Sequence, residues 1–153
     1  MVISFEKQIE DIDSLRIKTA RDMLNQFCKY ISENNPKYNW VGVYVLRKNK
    51  LILESYVGKP TIHEEISIGE GLCSQAIVQN NIVNEPDVTS NSKYLACSVE
   101  TKSELVVPVR ANGSPVGEID IDSDSPRAFT KEDEKFVSQL SELISNQVKI
   151  LSD

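Results

Sequence analysis

The hydrophobic pattern of the chain changes at Trp40 from the period of a helix to that of a strand. From Trp40 to Leu46, alternate residues fall on opposite sides of an extended chain. The two sides carry Val41, Val43 and Val45, and Trp40, Gly42 and Tyr44. A polar turn at 47–50 and a second apolar segment at 51–57 complete a predicted hairpin.

A second hairpin is predicted around Asn112-Gly113. This dipeptide favours the two-residue type I′ turn, because both of its residues accept a positive φ. It joins predicted strands at 104–110 and 116–121. Since the chain shows no strand–helix–strand repeat, we expect one antiparallel sheet rather than a parallel one.

Apolar residues at three- and four-residue spacing predict a helix near each end of the chain. The first runs from 14 to 31 and stops before Pro36, because the residue before a proline is pushed out of the helical region. The second begins with Thr130 as its cap and continues to 151. Shorter elements are a strand within 62–68, a helix at 74–79 and a strand after Asn81, followed by a long polar loop at 85–103. The prediction is an α+β fold with its helices largely on one face of the sheet.

A single domain covering 1–153 accommodates these elements. It divides into an N-terminal helical segment at 1–35, the sheet and its loops at 39–122, and a C-terminal helix at 130–151. We find no internal repeat, low-complexity stretch or second domain.

Charge and cysteine content exclude several classes of function. A net charge of −6 argues against nucleic acid and against an anionic membrane surface as partners. No secretory signal and no membrane-spanning run is found, so a cytoplasmic location is expected. In that compartment the three cysteines, an odd number, are expected to be free thiols in the resting protein rather than disulfides. With one histidine and no Cys-x-x-Cys pair, no metal site is predicted.

Acidic residues alternate along the segment Glu118-Ile-Asp-Ile-Asp122. In a strand this spacing places Glu118, Asp120 and Asp122 on one face, and Glu104 begins the paired strand. One interpretation is a solvated face. The other is a carboxylate cluster, in which like charges raise at least one pKa, supply a proton donor near neutral pH and attract an ammonium group. The hairpin that joins the two strands favours the cluster.

Trp40 and Tyr44 have two interpretations of their own. With Gly42 between them leaving room for a ligand, they resemble the wall of a small pocket, suited to a thioether or sulfoxide methyl. Alternatively, both belong to the core on the second face of the sheet.

The three cysteines differ in their surroundings. Cys28 lies on an apolar helical stripe, so packing is its expected role. Cys73 follows a Gly-Glu-Gly turn at a helix start, where the dipole is expected to lower the thiol pKa. Cys97 lies in the polar loop. The residues alone do not decide which thiol is the nucleophile, and the dipole slightly favours Cys73.

Several strings together resemble the free methionine-R-sulfoxide reductases, a branch of the GAF-domain family. They lie at 39–44, 58–59, 68–73, 95–97, 103–104, 107–108, 117–122 and 129–134. The resemblance implies a GAF-like fold, with terminal helices on one face of the sheet and active-site loops on the other. It also implies thiol-dependent reduction of free L-methionine (R)-sulfoxide to methionine.

The resemblance assigns roles to individual residues. Cys97 matches the catalytic cysteine, which becomes a sulfenic acid after attacking the sulfoxide sulfur. Glu104, Asp120 and Asp122 match carboxylates that hold the substrate and assist proton transfer. Trp40 and Tyr44 match pocket aromatics, and Glu118 has no counterpart. No bound cofactor is implied, and an external thioredoxin-like dithiol is the expected reductant.

One position departs from the family pattern. His63 stands where many members carry the cysteine that resolves the sulfenic acid. Cys73 is the candidate replacement, and direct attack by an external thiol is the alternative. A non-catalytic GAF module that binds methionine, or a thiol redox sensor, are the rival functions. Relatives often dimerise through their terminal helices, and a homodimer is possible for this chain.

Overall fold

An antiparallel sheet of six strands forms the centre of the computed structural model, which describes residues 2–15, 19–91, 94 and 100–153. The strands are β1 (Trp40–Arg47), β2 (Lys50–Val57), β3 (Glu65–Ser67), β4 (Val83–Glu85), β5 (Ser103–Ala111) and β6 (Ser114–Ser123). Their spatial order is β3-β2-β1-β6-β5-β4, and every neighbouring pair is antiparallel. The predicted antiparallel sheet is therefore confirmed, with β1 and β6 at its middle.

Helices cover both faces of this sheet. They are α1 (Phe5–Asp13), α2 (Ala20–Asn34), α3 (Gly71–Gln79), α4 (Lys131–Leu143) and α5 (Ser145–Leu151), with a 3₁₀ turn at Val88–Ser90. The β1 valines pack with α2, α4 and α5 in the larger core, while Trp40 and Tyr44 pack with α3 in a smaller one. The predicted alternation of β1 is confirmed. No helix among the described residues is long and apolar enough to cross a membrane.

The N-terminal helix predicted at 14–31 is wrong in its boundaries. Ser14 ends α1, since its backbone N–H donates to the Glu10 carbonyl. Thr19 then caps α2 by accepting from the backbone N–H of Asp22. Hydroxyl side chains compete for backbone hydrogen bonds and therefore favour helix ends. The prediction used only the spacing of apolar residues, so it missed both ends.

The C-terminal helix predicted at 130–151 consists of two helices. Thr130 caps the start of α4, as predicted, and it forms a capping box with Asp133. Ile144 has non-helical backbone angles (φ −98°, ψ 4°) and separates α4 from α5. The apolar stripe continues across the break, because both Ile144 and Val148 are fully buried.

Short connections set the register of the central strands. Asn112 and Gly113 have φ values of 53° and 82°, which confirms the type I′ turn between β5 and β6. The strand expected within 62–68 is confined to Glu65–Ser67. The β5–β6 register brings Glu104 opposite Asp122 and Val106 opposite Asp120.

Gly117 is a position of close approach inside this sheet, and we expect Gly117→Ala to destabilise the protein. An added Cβ would lie 2.3 Å from the Tyr44 carbonyl oxygen and 2.7 Å from Cγ1 of Val148. Overpacking of this kind costs about 1–3 kcal/mol in unfolding free energy, and a backbone neighbour cannot yield easily. Urea denaturation measures the loss. Ser114→Ala, at the exposed start of β6, is the control, and equal midpoints for the two variants would contradict the prediction.

Candidate active site

Four carboxyl groups converge on the α3 side of the sheet. Glu104 comes from β5, and Glu118, Asp120 and Asp122 come from β6. Their exposed fractions are only 4%, 0%, 1% and 1%, respectively. The interpretation of this row as a solvated face is therefore wrong.

Burial governs the protonation of this cluster. It raises the pKa of all four carboxyls above their usual values, because the charged form loses its hydration. For Glu104 the charges of Asp120 and Asp122 add to the effect. None of the four forms an ion pair with a lysine, arginine or histidine in the described parts of the chain. The cluster thus holds protons at a pH where ordinary carboxyls have lost them.

Cys73 faces this cluster from the first turn of α3. Its Sγ donates to Oδ2 of Asp120 over 3.3 Å, and only 5% of the residue is exposed. Burial raises the pKa of this thiol well above its usual value, and the charges of Asp120 and Glu118 raise it further. The expected lowering of the pKa by the helix dipole is therefore wrong. A dipole contributes about 0.3–1 kcal/mol at an exposed helix end, and here burial among carboxylates outweighs it.

The aromatic residues form the wall beside the carboxylates. Tyr44 is fully buried and its hydroxyl donates to the His63 carbonyl over 2.7 Å. Trp40 Nε1 donates to the Lys59 carbonyl over 3.0 Å, which fixes the plane of the indole. Gly42 does not leave room for a ligand as predicted, because the indole fills that space: a Cβ there would lie 2.3 Å from Cη2 of Trp40.

Two cavities adjoin the cluster. The smaller, of about 10 Å³, has room for about one water molecule and is lined by Tyr44, His63, Ile66, Gly71, Leu72, Cys73, Glu104 and Asp120. The larger, of about 360 Å³, is lined by Asn39, Trp40, Gly58, Lys59, Thr101, Asp122 and Asp124. Only the larger has the volume of a small-molecule site. It borders the carboxyl cluster at Asp122, and Trp40 lines it as well.

A GAF domain profile matches residues 20–148 of this sequence. The chain belongs to the GAF domain family. It is 55% identical to a type II free methionine-R-sulfoxide reductase from Thermoplasma acidophilum, with a TM-score of 0.84 over 86% of this chain and 93% of that one. It is 38% identical over 111 residues to the free methionine-R-sulfoxide reductase of Saccharomyces cerevisiae, covering 70% of this chain and 61% of the yeast protein.

A third relative carries a broader name. GAF domain-containing protein A of Dictyostelium discoideum is 36% identical over 108 residues, covering 70% of this chain and 68% of that protein. The resemblance drawn from the sequence motifs, to the free methionine-R-sulfoxide reductase branch of the GAF family, is confirmed by these comparisons.

Cys97, which matches the catalytic cysteine of this GAF branch, lies outside the described residues. Its role as nucleophile stays a prediction. The described chain resumes at Glu100, three residues later, where Lys59 Nζ and a Glu100 carboxylate oxygen form an ion pair of 2.6 Å. Thr101 follows it and lines the larger cavity.

Two further residues singled out from the sequence are Cys28 and His63. Cys28 is fully buried in the larger core of the GAF domain, and burial raises its pKa to about 12. Its predicted packing role is confirmed. His63, at the position of the usual resolving cysteine, lines the smaller cavity beside Cys73.

Glu118 is the functional candidate that the motif comparison missed. It pairs with Tyr44 across β1–β6 and is fully buried, and its charge adds to the effect of burial in raising the pKa of the Cys73 thiol. The sequence did indicate its position, because residues 118, 120 and 122 alternate and therefore lie on the same face of the strand. The family motif gives this position no role, so only the alternation along β6 points to it.

Proposed function

We propose that this chain reduces the R epimer of free methionine sulfoxide to methionine, with a thiol as the source of electrons. The buried carboxyl cluster beside an aromatic wall is the observation that carries the proposal. The similarity to the reductases of Thermoplasma and yeast supports it.

The cluster suits the charged end of a free amino acid. Asp120 and Asp122 are each 1% exposed and form no ion pair with a lysine, arginine or histidine of the described residues, so their carboxyl groups are available to an ammonium group. Trp40, which lines the larger cavity, offers aromatic surface to the methyl and thioether groups. A methionine inside a protein has no ammonium group at its Cα, so the same cluster discriminates against it.

Reduction begins at Cys97 in this proposal. Its thiolate attacks the sulfoxide sulfur while one protonated carboxyl of Glu104, Asp120 or Asp122 donates a proton to the sulfoxide oxygen. Transfer of that oxygen to the cysteine gives methionine and a Cys97 sulfenic acid. The raised pKa values of these carboxyls explain how a proton donor is present near neutral pH.

Cys73 resolves the sulfenic acid in the second half of the cycle. Its thiol is protonated at rest, and Asp120, which already accepts its hydrogen bond, is placed to take the proton. Attack of the Cys73 sulfur on the sulfenic sulfur then forms a disulfide and releases water. A thioredoxin-like dithiol reduces that disulfide and restores both thiols, with no cofactor bound to the protein.

The deciding experiment follows free R-methionine sulfoxide with dithiothreitol as reductant. We expect the wild type to consume the R epimer and leave the S epimer, Cys97→Ser to lose turnover, and Cys28→Ala to keep it. Mass mapping after one turnover without reductant is expected to show a Cys73–Cys97 disulfide. A stable Cys97 adduct without Cys73 would assign resolution to an external thiol.

A non-catalytic methionine-binding module is the second candidate. His63 in place of a resolving cysteine favours it, together with the raised pKa of the Cys73 thiol. Absence of turnover by a folded wild type, combined with a methionine-dependent rise in Tm, would select this function.

A further inference from the structure

Free methionine sulfoxide has a carboxylate group for which the proposed function gives no partner. The carboxyl cluster attracts the ammonium group and, by the same charge, repels the carboxylate. Two acidic residues, Asp122 and Asp124, line the larger cavity. Binding of a free amino acid in this cavity therefore requires a cation beside them.

Lys59 is the only positively charged residue among the described residues that line this cavity. Its Nζ lies 2.6 Å from a carboxylate oxygen of Glu100, and the two side chains are 65% and 49% exposed, respectively. An ion pair exposed to this extent contributes little to stability, because water screens its charges. A ligand carboxylate can therefore replace Glu100 at little cost in free energy.

The backbone at Lys59 is held against the ring of Trp40. Its carbonyl accepts a hydrogen bond from Trp40 Nε1 over 3.0 Å. The preceding residue, Gly58, has a φ of 134°, and a Cβ there would lie 2.7 Å from Cδ1 of Trp40 and 2.9 Å from the Asn39 carbonyl oxygen. Only glycine fits this approach without strain. The lysine side chain therefore begins beside the aromatic surface that the proposed function assigns to the methyl and thioether groups.

We propose that Lys59 binds the carboxylate of the free amino acid, while Asp122 and the rest of the carboxyl cluster bind its ammonium group. The inference rests on the proposed function and adds the group that distinguishes an amino acid from a simple amine. Lys59 and Asp122 line one cavity of about 360 Å³, and an amino acid carries its two charges on a single carbon atom. On binding, the carboxylate replaces Glu100 as the partner of the lysine.

A lysine in this position selects against methionine at the N-terminus of a protein. Such a residue keeps its ammonium group, so the carboxyl cluster alone would accept it. Its carboxyl group, however, belongs to a peptide bond and carries no charge for Lys59. The carboxyl cluster thus excludes internal methionine sulfoxide, and the lysine excludes the N-terminal form.

Binding is tested with methionine and with 3-(methylthio)propylamine, which is methionine with hydrogen in place of the carboxylate. Isothermal titration calorimetry on the reduced protein gives both Kd values without turnover. We expect the wild type to bind methionine about 10-fold or more tightly than the amine. In Lys59→Met this preference is expected to vanish, because methionine binds more weakly and the amine does not. Lys59→Arg keeps the charge and is expected to keep the preference.

Two further variants separate direct binding from a change of net charge. Lys102→Met removes an exposed lysine outside the described lining of the cavity, and we expect it to leave both Kd values unchanged. Lys59→Met combined with Glu100→Gln removes the ion pair together, so that an unpaired Glu100 cannot repel the carboxylate. This double variant is expected to show no preference for methionine. A preference kept in either variant that lacks Lys59, or missing from the wild type, overturns the proposal.

Sulfoxide turnover is followed separately, so that this inference and the proposed function fail in different ways. Because the carboxylate does not change in the reaction, Lys59→Met is expected to raise KM for free R-methionine sulfoxide more than it lowers kcat. Methionine bound through Lys59 by a protein without turnover would sustain the inference and reject the reductase. Turnover by the wild type, with KM unchanged in Lys59→Met, would sustain the reductase and overturn the role of Lys59.

Discussion

Replacing Asp120 with asparagine is expected to lower kcat/KM for free R-methionine sulfoxide about 100-fold or more, the effect typical of a lost general acid or base. Asp120 is 1% exposed, accepts the Cys73 hydrogen bond and lies in the centre of the β6 carboxylate row. The amide keeps the shape of the side chain but neither donates an acidic proton nor carries a charge for the ammonium group. Steady-state kinetics with both epimers measures the change.

A matched control separates this effect from a general loss of negative charge. Glu132→Gln, on the exposed side of α4, removes one charge away from the site and is expected to leave kcat/KM unchanged. The pair also distinguishes the reductase from a thiol redox sensor. A sensor needs only its cysteines, so equal oxidation of wild type and Asp120→Asn by peroxide, with no sulfoxide turnover in either, would favour the sensor.

The strands of this fold were predictable because their pattern is strictly local. The period of two in β1 and β6 assigns each side chain to a face, and the Asn112-Gly113 turn fixes the register between β5 and β6. The helix ends were less predictable. The spacing of apolar residues gives no sign of a helix end at Ser14 or at Ile144. At Ser14 the helix ends through a local hydrogen bond, and at Ile144 it ends because the backbone angles are not helical.

The site was predictable in its membership but not in its chemistry. The alternation in β6 put Asp120 and Asp122 on one face, and the hairpin added Glu104. The pKa of Cys73, in contrast, is raised by burial and then by carboxyls that lie more than 30 positions further along the chain, so its own helix start gave the wrong sign. The Trp40 ring likewise fills the space above Gly42. This depends on the Trp40 rotamer, which the spacing of residues cannot specify.

The buried carboxyls are expected to make the substrate-free protein less stable as the pH rises. The pKa values of Glu104, Glu118, Asp120 and Asp122 are raised in the folded state, so between about pH 4 and those values the folded chain holds more protons than the unfolded chain. Stability is then fully present below about pH 4 and is lost as the pH rises through the folded values. Each such group lowers the unfolding free energy by about 1.4 kcal/mol per pH unit. Urea denaturation at intervals from pH 5 to pH 8 measures the slope.

Glu118→Gln isolates the contribution of one group to this slope. The amide cannot ionise, so the variant is expected to follow a shallower pH dependence and to exceed the wild type in stability at pH 8. A group that stays protonated across two pH units accounts for about 3 kcal/mol. The lowered pKa values of the half-buried Asp11 and the exposed Asp87 add stability only as those carboxyls ionise, below this window. Parallel curves for wild type and variant would contradict the prediction, since they would show that Glu118 does not contribute to the slope.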